Sequence, residues 1–116
     1  MGLSTHILDT SRGKPAVNVA ITLYRGTSEV PKSWEEIGQG VTDNDGRYKG
    51  FFADNPAGFT NGRYKLRFLV GQYYETLKTD TLYPFVEIVF DIKDSSQHYH
   101  IPLLLNPFGY STYRGS

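Results

Sequence analysis

Three segments of this chain alternate apolar and polar side chains with a period of two. They span residues 18–24, 63–70 and 86–93, and charged side chains fill most polar positions of the last two. Successive side chains of a strand point to opposite faces, so this period predicts strands that bury one face and expose the other. The predicted core-facing positions are Val19, Ile21, Leu23, Tyr64, Leu66, Phe68, Val70, Val86, Ile88, Phe90 and Ile92.

Turn-forming residues separate these segments. Residues 12–15, 43–46 and 61–62 read RGKP, DNDG and NG, and Gly, Pro, Asn and Asp are the residues that tight turns favour. The aromatic content of 15% also favours strands. Strand-like segments at this spacing predict an all-β fold, either a two-sheet sandwich or a small barrel. Only residues 71–78, GQYYETLK, are expected to form a helix, of about two turns.

The composition excludes several kinds of site. The chain has no Cys, which rules out a disulfide, a cysteine zinc site and a thiol nucleophile. Its 12 basic and 12 acidic side chains balance, whereas nucleic-acid-binding domains carry a basic patch. No apolar run approaches the roughly 20 residues that span a bilayer. A length of 116 residues predicts a single domain over residues 1–116.

Two of the three histidines lie in the segment His98–Leu105, HYHIPLLL. As a strand, this segment places His98, His100, Pro102 and Leu104 on one face, with the two histidine Cα atoms roughly 7 Å apart. Pro102 has no N–H to donate, so it predicts either an edge strand or a break in pairing. Two histidines and a proline do not form an ordinary core face. This face is therefore expected to be exposed to solvent or to line a site.

Three interpretations of the histidines follow from the residues alone. His98 and His100 could be surface residues on a solvated sheet face. They could bind a metal ion with His6 as a third ligand, although no acidic residue stands at a recognisable ligand spacing. They could also act as general acid and base, since a neutral imidazole can take a proton from water near pH 7. Composition and spacing do not separate these interpretations.

The end of the chain carries a more specific pattern. From Gln97 onward it reads QHYHIPLLLNPFGYSTYRGS, and this ending resembles the signature of the 5-hydroxyisourate hydrolase family, within the transthyretin superfamily. Residues 5–9, THILD, with 13–16, GKPA, resemble the opening strand and turn of that family. Residues 45–47, DGR, match its central motif, and 83–90, YPFVEIVF, follow in the expected order. The resemblance covers essentially all of the chain, with Asn106 as a small departure where many members have Ser.

The resemblance implies a transthyretin-like β-sandwich of two four-stranded sheets with a short helix, in agreement with the helix predicted at 71–78. It implies a homotetramer, a dimer of dimers, whose central channel holds two active sites. It also implies a small purine-derived substrate as partner, and neither nucleic acid nor membrane. We expect a cytoplasmic location, with the peroxisome as the alternative; the absence of a Ser-Lys-Leu ending does not decide between them.

The resemblance also implies which residues form the site. It assigns catalytic roles to His6, Arg47, His100 and Ser116, and substrate contacts to His6, Arg47 and Tyr113. His98 shares a face with His100 and is retained as a further substrate-binding candidate. Any one of these residues alone would have an ordinary structural explanation, and only their joint occurrence in this order supports the assignment.

The implied reaction opens the ring of 5-hydroxyisourate to 2-oxo-4-hydroxy-4-carboxy-5-ureidoimidazoline, in urate degradation toward allantoin. Adding water at a carbonyl needs a base, a group that stabilises the oxyanion and a proton for the leaving nitrogen. The resemblance implies no cofactor and no metal. The sequence leaves open which histidine is the base and which the acid.

Two other functions remain open at this point. A transthyretin-like carrier of an apolar hormone would use the same fold, but with a more apolar channel and without the Tyr-Arg-Gly-Ser ending. A metal-binding or purely structural β-sandwich would also satisfy the strand pattern. The polar residues His6, Arg47, His100 and Tyr113 favour the hydrolase over the carrier.

Overall fold

The computed structural model describes residues 2–27 and 32–116. Within these ranges the chain forms strands, one α helix and a short 3-10 turn at Pro56–Gly58. The strands are β1 (Gly2–Asp9), β2 (Lys14–Pro15), β3 (Ala20–Gly26), β4 (Trp34–Val41), β5 (Arg47–Tyr48), β6 (Gly62–Phe68), β7 (Val86–Ile92), β8 (His98–Asn106) and β9 (Gly109–Thr112), and the helix is α1 (Val70–Thr76).

The first sheet has the order β2-β1-β8-β9, and β5 also pairs with β1. Strands β1 and β8 are parallel, in register from Gly2 opposite His98 to Asp9 opposite Leu105. Both are buried on alternate residues, so each has one core face and one outer face. We call this the β1–β8 sheet. In this sheet the first strand pairs with β8, near the other end of the sequence, over the full length of β1.

The second sheet has the order β4-β3-β6-β7, and its strands are all antiparallel. One cluster of buried residues draws from both sheets, including Ile7 and Leu103 from the β1–β8 sheet and Leu23 and Leu66 from the second. The two sheets therefore form a sandwich around a shared core. This confirms the all-β, two-sheet prediction, although the first sheet has five strands where the resemblance implied four.

Helix α1 follows directly on β6 and buries Val70, Tyr73 and Tyr74 against the core. The helix predicted at 71–78 is confirmed, but it begins and ends slightly earlier than the sequence pattern indicated. Both tyrosines of the helix are buried. None of the helices in the described part of the chain has the length and apolar character that a bilayer span requires.

Pro102 shows which of the two predicted outcomes occurs. It lies in β8, an interior strand of its sheet, so the edge position is not observed. The expected break in pairing does occur. The β8–β9 ladder ends at Leu103 opposite Thr112 and resumes only as a single bridge between His100 and Gly115. Pro102 has no N–H to donate, so the ladder between β8 and β9 is interrupted at this residue.

Candidate active site

The parallel pairing of β1 and β8 gathers the polar residues of both strands on one outer face. Thr5 and Ile101 point into the core, which leaves Ser4 and His6 outside, next to His98 and His100. Ser4 lies directly opposite His100 in the register. Strand alternation therefore aligns the polar residues of the first and last strands on a single surface.

A tight turn brings Arg47 to the same face. The Oδ1 atom of Asp43 accepts hydrogen bonds from the backbone N–H groups of Asp45 (2.9 Å) and Arg47 (3.0 Å). Gly46 has φ +75°, and a Cβ there would lie 2.5 Å from the carbonyl oxygen of Ile7, so the turn requires glycine. The turn leads directly into β5, where Arg47 lies opposite His6.

The end of the chain folds back onto His100. The Gly115 N–H donates to the His100 carbonyl oxygen at 2.8 Å, next to Pro102. A Cβ on Gly115 would overlap the Cδ2 atom of the His100 ring. Arg114 lies over the ring of Tyr99, with its guanidinium carbon 4.3 Å from the ring centre. These contacts hold Ser116 beside the histidine pair.

These elements enclose a polar cavity of about 520 Å³. It is lined by Ser4, Thr5, Asp43, Asp45, Arg47, Tyr48, Lys49, His98, His100 and Ser116. We call it the histidine cavity. It combines two cationic side chains, two carboxylates and two imidazoles, a mixture suited to a small polar ligand with several carbonyl and N–H groups.

Within the cavity, Ser4 bridges the two histidines. Its hydroxyl oxygen lies 2.8 Å from Nε2 of His98 and 2.8 Å from Nδ1 of His100. His98 is exposed, whereas His100 is half-buried. Since Nδ1 of His100 is engaged by Ser4, Nε2 is the ring nitrogen that remains available to water or to a substrate.

The surroundings of His100 favour its neutral form. Burial is the main reason why the pKa of this imidazole lies below its ordinary value of 6.5, and the nearby His6 and His98 lower it further. Arg47 acts in the same direction, and a hydrogen bond with the backbone of Ser4 acts against it. His100 therefore stays neutral at pH 7 and can accept a proton.

Asp43 is held in its charged form. The backbone N–H of Arg47 is the largest cause that brings the pKa of this carboxyl below its ordinary value, and the N–H of Asp45 adds to it. The charge of Arg47 lowers the same pKa. The charged carboxylate of Asp43 therefore lies next to the backbone of Arg47, and both residues line the cavity.

The structure brings together four of the six residues that the sequence assigned to a site: Arg47, His98, His100 and Ser116 line the histidine cavity. His6 lies on the same face, opposite Pro102 and Arg47, but is not part of the lining. Tyr113 is 56% exposed and lies outside the lining as well. Its proposed contact with substrate stays a prediction.

Sequence reasoning missed Ser4, Asp43 and Lys49, which also line the cavity. Ser4 could have been found from alternation, because it stands two residues before His6 on the same face of the opening strand. Asp43 was noted only as a turn residue. Its carboxylate both holds the turn and faces the site.

The geometry gives no support to the metal interpretation. Across residues 2–27 and 32–116, no group of three His, Asp or Glu side chains is arranged to hold a metal ion. The two histidines instead share a serine hydroxyl. Their arrangement is that of a hydrogen-bonded pair.

Comparison with known proteins places this chain in a family. The family model described as HIUase/Transthyretin matches residues 3–115. The chain belongs to this family. The curated 5-hydroxyisourate hydrolase of Salmonella dublin is 43% identical over 114 residues, which cover 98% of this chain and 80% of the relative.

Solved structures agree with the fold. Klebsiella pneumoniae 5-hydroxyisourate hydrolase matches with a TM-score of 0.84 and 37% identity over the full length of both chains. Sea bream transthyretin in complex with thyroxine matches with a TM-score of 0.89 and 30% identity, covering 99% of this chain and 95% of that one. The transthyretin-like fold is thereby confirmed.

A third solved structure, (S)-allantoin synthase, matches with a TM-score of 0.84 and 35% identity over 99% of this chain. The chain spans 43% of the length of that protein. Because hydrolases and a thyroxine-binding transthyretin share this fold, the fold alone does not assign an activity. The residues of the cavity must do so.

Proposed function

We propose that this chain is a 5-hydroxyisourate hydrolase. It would open the ring of 5-hydroxyisourate to 2-oxo-4-hydroxy-4-carboxy-5-ureidoimidazoline, in urate degradation toward allantoin. The observation that carries the proposal is the histidine cavity, in which Arg47 from the central turn meets His100 and Ser116 from the last part of the chain. Relatives that bear the hydrolase name over nearly the whole chain support it.

The reaction adds water to a carbonyl carbon and breaks the neighbouring C–N bond. His100 is the base in this proposal, because it is neutral near pH 7 and its Nε2 is available. A positioned base contributes about 10²- to 10⁴-fold to the rate of such a step. The same imidazole would then give its proton to the leaving nitrogen.

Arg47 would stabilise the charge that develops on the carbonyl oxygen. Its guanidinium presents a planar fork of N–H donors, which suits an oxyanion or a pair of carbonyl groups. The Asp43 turn fixes the backbone of Arg47. His6 lies opposite Arg47 and would orient the substrate from the same face.

The chain end would complete the site. Ser116 lines the cavity, and its hydroxyl or terminal carboxylate would position the attacking water or a histidine. Tyr113 would reach substrate in an assembly, because its side chain is exposed in the isolated subunit. We therefore include the homotetramer, a dimer of dimers with sites in a central channel, in the proposal.

The remaining parts of the proposal concern cofactors and context. The mechanism uses no cofactor and no metal, since side chains supply the base, the oxyanion donors and the acid. One domain over residues 1–116 would carry the activity. A cytoplasmic location, with the peroxisome as the alternative, completes the proposal.

An ultraviolet assay with freshly generated 5-hydroxyisourate tests the activity. The compound also decays spontaneously, so the decay with protein is compared with the decay in buffer. A faster decay that scales with protein concentration supports the proposal. Decay at the buffer rate, together with tight binding of an apolar hormone such as thyroxine, would contradict it and favour a carrier.

A further inference from the structure

The hydroxyl of Ser4 occupies an unusual place between two imidazoles. It lies at hydrogen-bond distance from one nitrogen of His98 and one nitrogen of His100, both 2.8 Å away. The register of β1 on β8 sets this geometry, because Ser4 lies opposite His100 and two residues along β1 from Gly2, the residue opposite His98. The contacts therefore follow from the sheet and do not depend on a flexible loop.

A hydroxyl has only one proton to donate. If Ser4 donates to Nδ1 of His100, then Nε2 of His98 must carry a proton and donate to Ser4. If Ser4 donates to Nε2 of His98, then Nδ1 of His100 must carry the proton. With both rings neutral, either arrangement gives the two histidines the same tautomer, both Nε2–H or both Nδ1–H.

We propose that Ser4 is a positioning residue that holds His98 and His100 in the Nδ1–H tautomer and passes a proton from the inner ring to the outer one. That both rings share one tautomer follows from the geometry of the free protein, whereas the choice of Nδ1–H rests on the proposed hydrolase function. The proton transfer rests on the proposed hydrolase function, which requires Nε2 of His100 to be bare before water attacks.

The proposed step moves one proton from water to His98 by way of His100 and Ser4. The water oxygen bonds to the carbonyl carbon, the carbonyl π pair moves to its oxygen, and a water proton moves to Nε2 of His100. The Nδ1 proton of His100 passes to Ser4 Oγ, and the Ser4 proton passes to Nε2 of His98. The products are an oxyanion and a His98 imidazolium, with Ser4 and His100 neutral. Reversal of the transfers returns the proton to the leaving nitrogen as the C–N bond breaks.

Burial gives the transfer its direction. His100 is half-buried and His98 is exposed, so water solvates the positive charge better on His98. The charges of the lining do not favour either ring, because the carboxylates of Asp43 and Asp45 are matched by the cations of Arg47 and Lys49. The charge that the reaction creates would thus leave the ring that contacts the substrate. His98 is thus the proposed acceptor of the proton, a role that the sequence had left open.

Nitrogen NMR of the free protein tests the tautomers directly. The spectra are recorded at about pH 8, above the ordinary pKa of an imidazole, where ¹⁵N shifts separate protonated from bare ring nitrogens. We expect Nδ1–H on both His98 and His100, and the same pair in Ser4→Thr, which keeps a hydroxyl. In Ser4→Ala the His100 ring should shift to Nε2–H. Any other tautomer pair in the unmodified protein, or no change in Ser4→Ala, would overturn the proposal.

Kinetics test the proton transfer separately. Ser4→Ala should lower kcat about tenfold with KM changed less than about twofold, because Ser4 acts through the histidines. His98→Asn removes the nitrogen that Ser4 contacts, so the double variant should lose no more than either single variant. Ser4→Thr should restore most of the rate. Multiplicative losses in the double variant would overturn the transfer.

Ser111→Ala is the matched control. Ser111 lies on β9 opposite Leu104, on the same sheet but four residues along β8 from His100. Its loss should leave kcat and both tautomers unchanged. If the unmodified protein does not hydrolyse 5-hydroxyisourate at all, the proposed function fails, while the NMR result still decides whether Ser4 couples the two rings.

Discussion

His100 meets the conditions that a general base needs near neutral pH. Its imidazole is half-buried in a cavity that also holds Arg47 and Ser116. Burial, with two neighbouring imidazoles, keeps its pKa below the ordinary value of 6.5. Ser4 fixes one ring nitrogen, so the other has a defined direction. The residue is therefore both neutral and oriented before any substrate arrives.

The lowered pKa of His100 predicts how activity depends on pH. Protonation of His100 removes the base, so kcat/KM should fall as the pH drops through the lowered pKa of this group. The acid limb of the profile should therefore lie below pH 6.5, the ordinary histidine value. A profile of kcat/KM against pH measures it. An acid limb at or above the ordinary value would contradict the assignment of His100 as base.

Gly115 controls how closely the chain end approaches the base. A Cβ there would overlap Cδ2 of His100 and lie 3.2 Å from Cγ of Pro102. Gly115→Ala should therefore displace the ring or the terminal segment and lower kcat/KM about tenfold or more. The melting temperature should change little, because the segment lies at an exposed end of the fold.

Gly109→Ala is the control for this substitution. Gly109 lies in β9, and the nearest atoms to its Cβ would belong to Asn106 at 3.7 Å, an ordinary contact. Its activity should stay close to that of the unmodified protein. Equal rates for Gly115→Ala and Gly109→Ala would show that the close approach of the chain end does not matter to the reaction.

At the scale of elements, helix α1 is joined to the first strand by a buried carboxylate. Asp9 is fully buried, and its Oδ1 accepts from the N–H and hydroxyl of Ser11. Its Oδ2 accepts from the Tyr73 hydroxyl at 2.8 Å. The neighbouring Tyr74 hydroxyl is buried near the same carboxylate and near Ser11 but makes no hydrogen bond of good geometry among the described residues. The two tyrosines thus offer a matched pair of substitutions.

Tyr73→Phe should lower the free energy of unfolding by about 1–3 kcal/mol, because it leaves one oxygen of the buried Asp9 without a donor. Tyr74→Phe removes a hydroxyl that makes no such bond, so its effect should be near zero or slightly stabilising. Urea denaturation of both variants measures the difference. A larger loss in Tyr74→Phe than in Tyr73→Phe would contradict this description of the helix contact.

The strands that the sequence predicted are those that bury one face by their own alternation. Strand β3 shows this alternation, β6 and β8 show it apart from the buried Lys65 and Pro102, and β7 is fully buried only at Val86 and Ile92. Strand β4 was missed, because its Gly38 and Gly40 are covered by the rings of Phe51 and Tyr48. Burial there comes from distant aromatic residues, and a strand covered in this way shows no apolar alternation of its own.

The site was predictable in its residue types but less so in its connections. The terminal motif and the two histidines indicated the chemistry, yet Ser4 lies 94 and 96 residues from the rings it contacts. That contact depends on the parallel pairing of β1 with β8. A pairing between strands so far apart in the chain produces no local pattern in the sequence. Asp43 was likewise masked by its turn role.

For the whole molecule, the cavity and the surface point toward assembly. The histidine cavity is partly open to solvent. Tyr113, three residues before the cavity residue Ser116, is exposed. Large apolar side chains are also exposed at Leu82, Val89 and Phe108. A subunit of 116 residues has little room for a deep pocket of its own. The proposed tetramer would enclose the site between subunits.

Fusions at the two chain ends test whether the last residues belong to the site. A tag placed directly after Ser116 should lower kcat/KM more than the same tag placed before Met1, because Ser116 lines the cavity and Gly115 contacts His100. Both fusions are assayed at equal protein concentration, with size-exclusion chromatography as the check on assembly. Equal activity of the two fusions would count against a role for the chain end.

The rate of 5-hydroxyisourate decay with His100→Asn, beside the unmodified protein and a buffer blank, tests the assignment of the histidine cavity most directly. Circular dichroism and the melting temperature establish that both proteins are folded. We predict that the unmodified protein accelerates decay and that His100→Asn loses about 10²-fold or more of this acceleration while its fold is kept. A folded His100→Asn protein that works at the unmodified rate would contradict the assignment of this cavity as the active site.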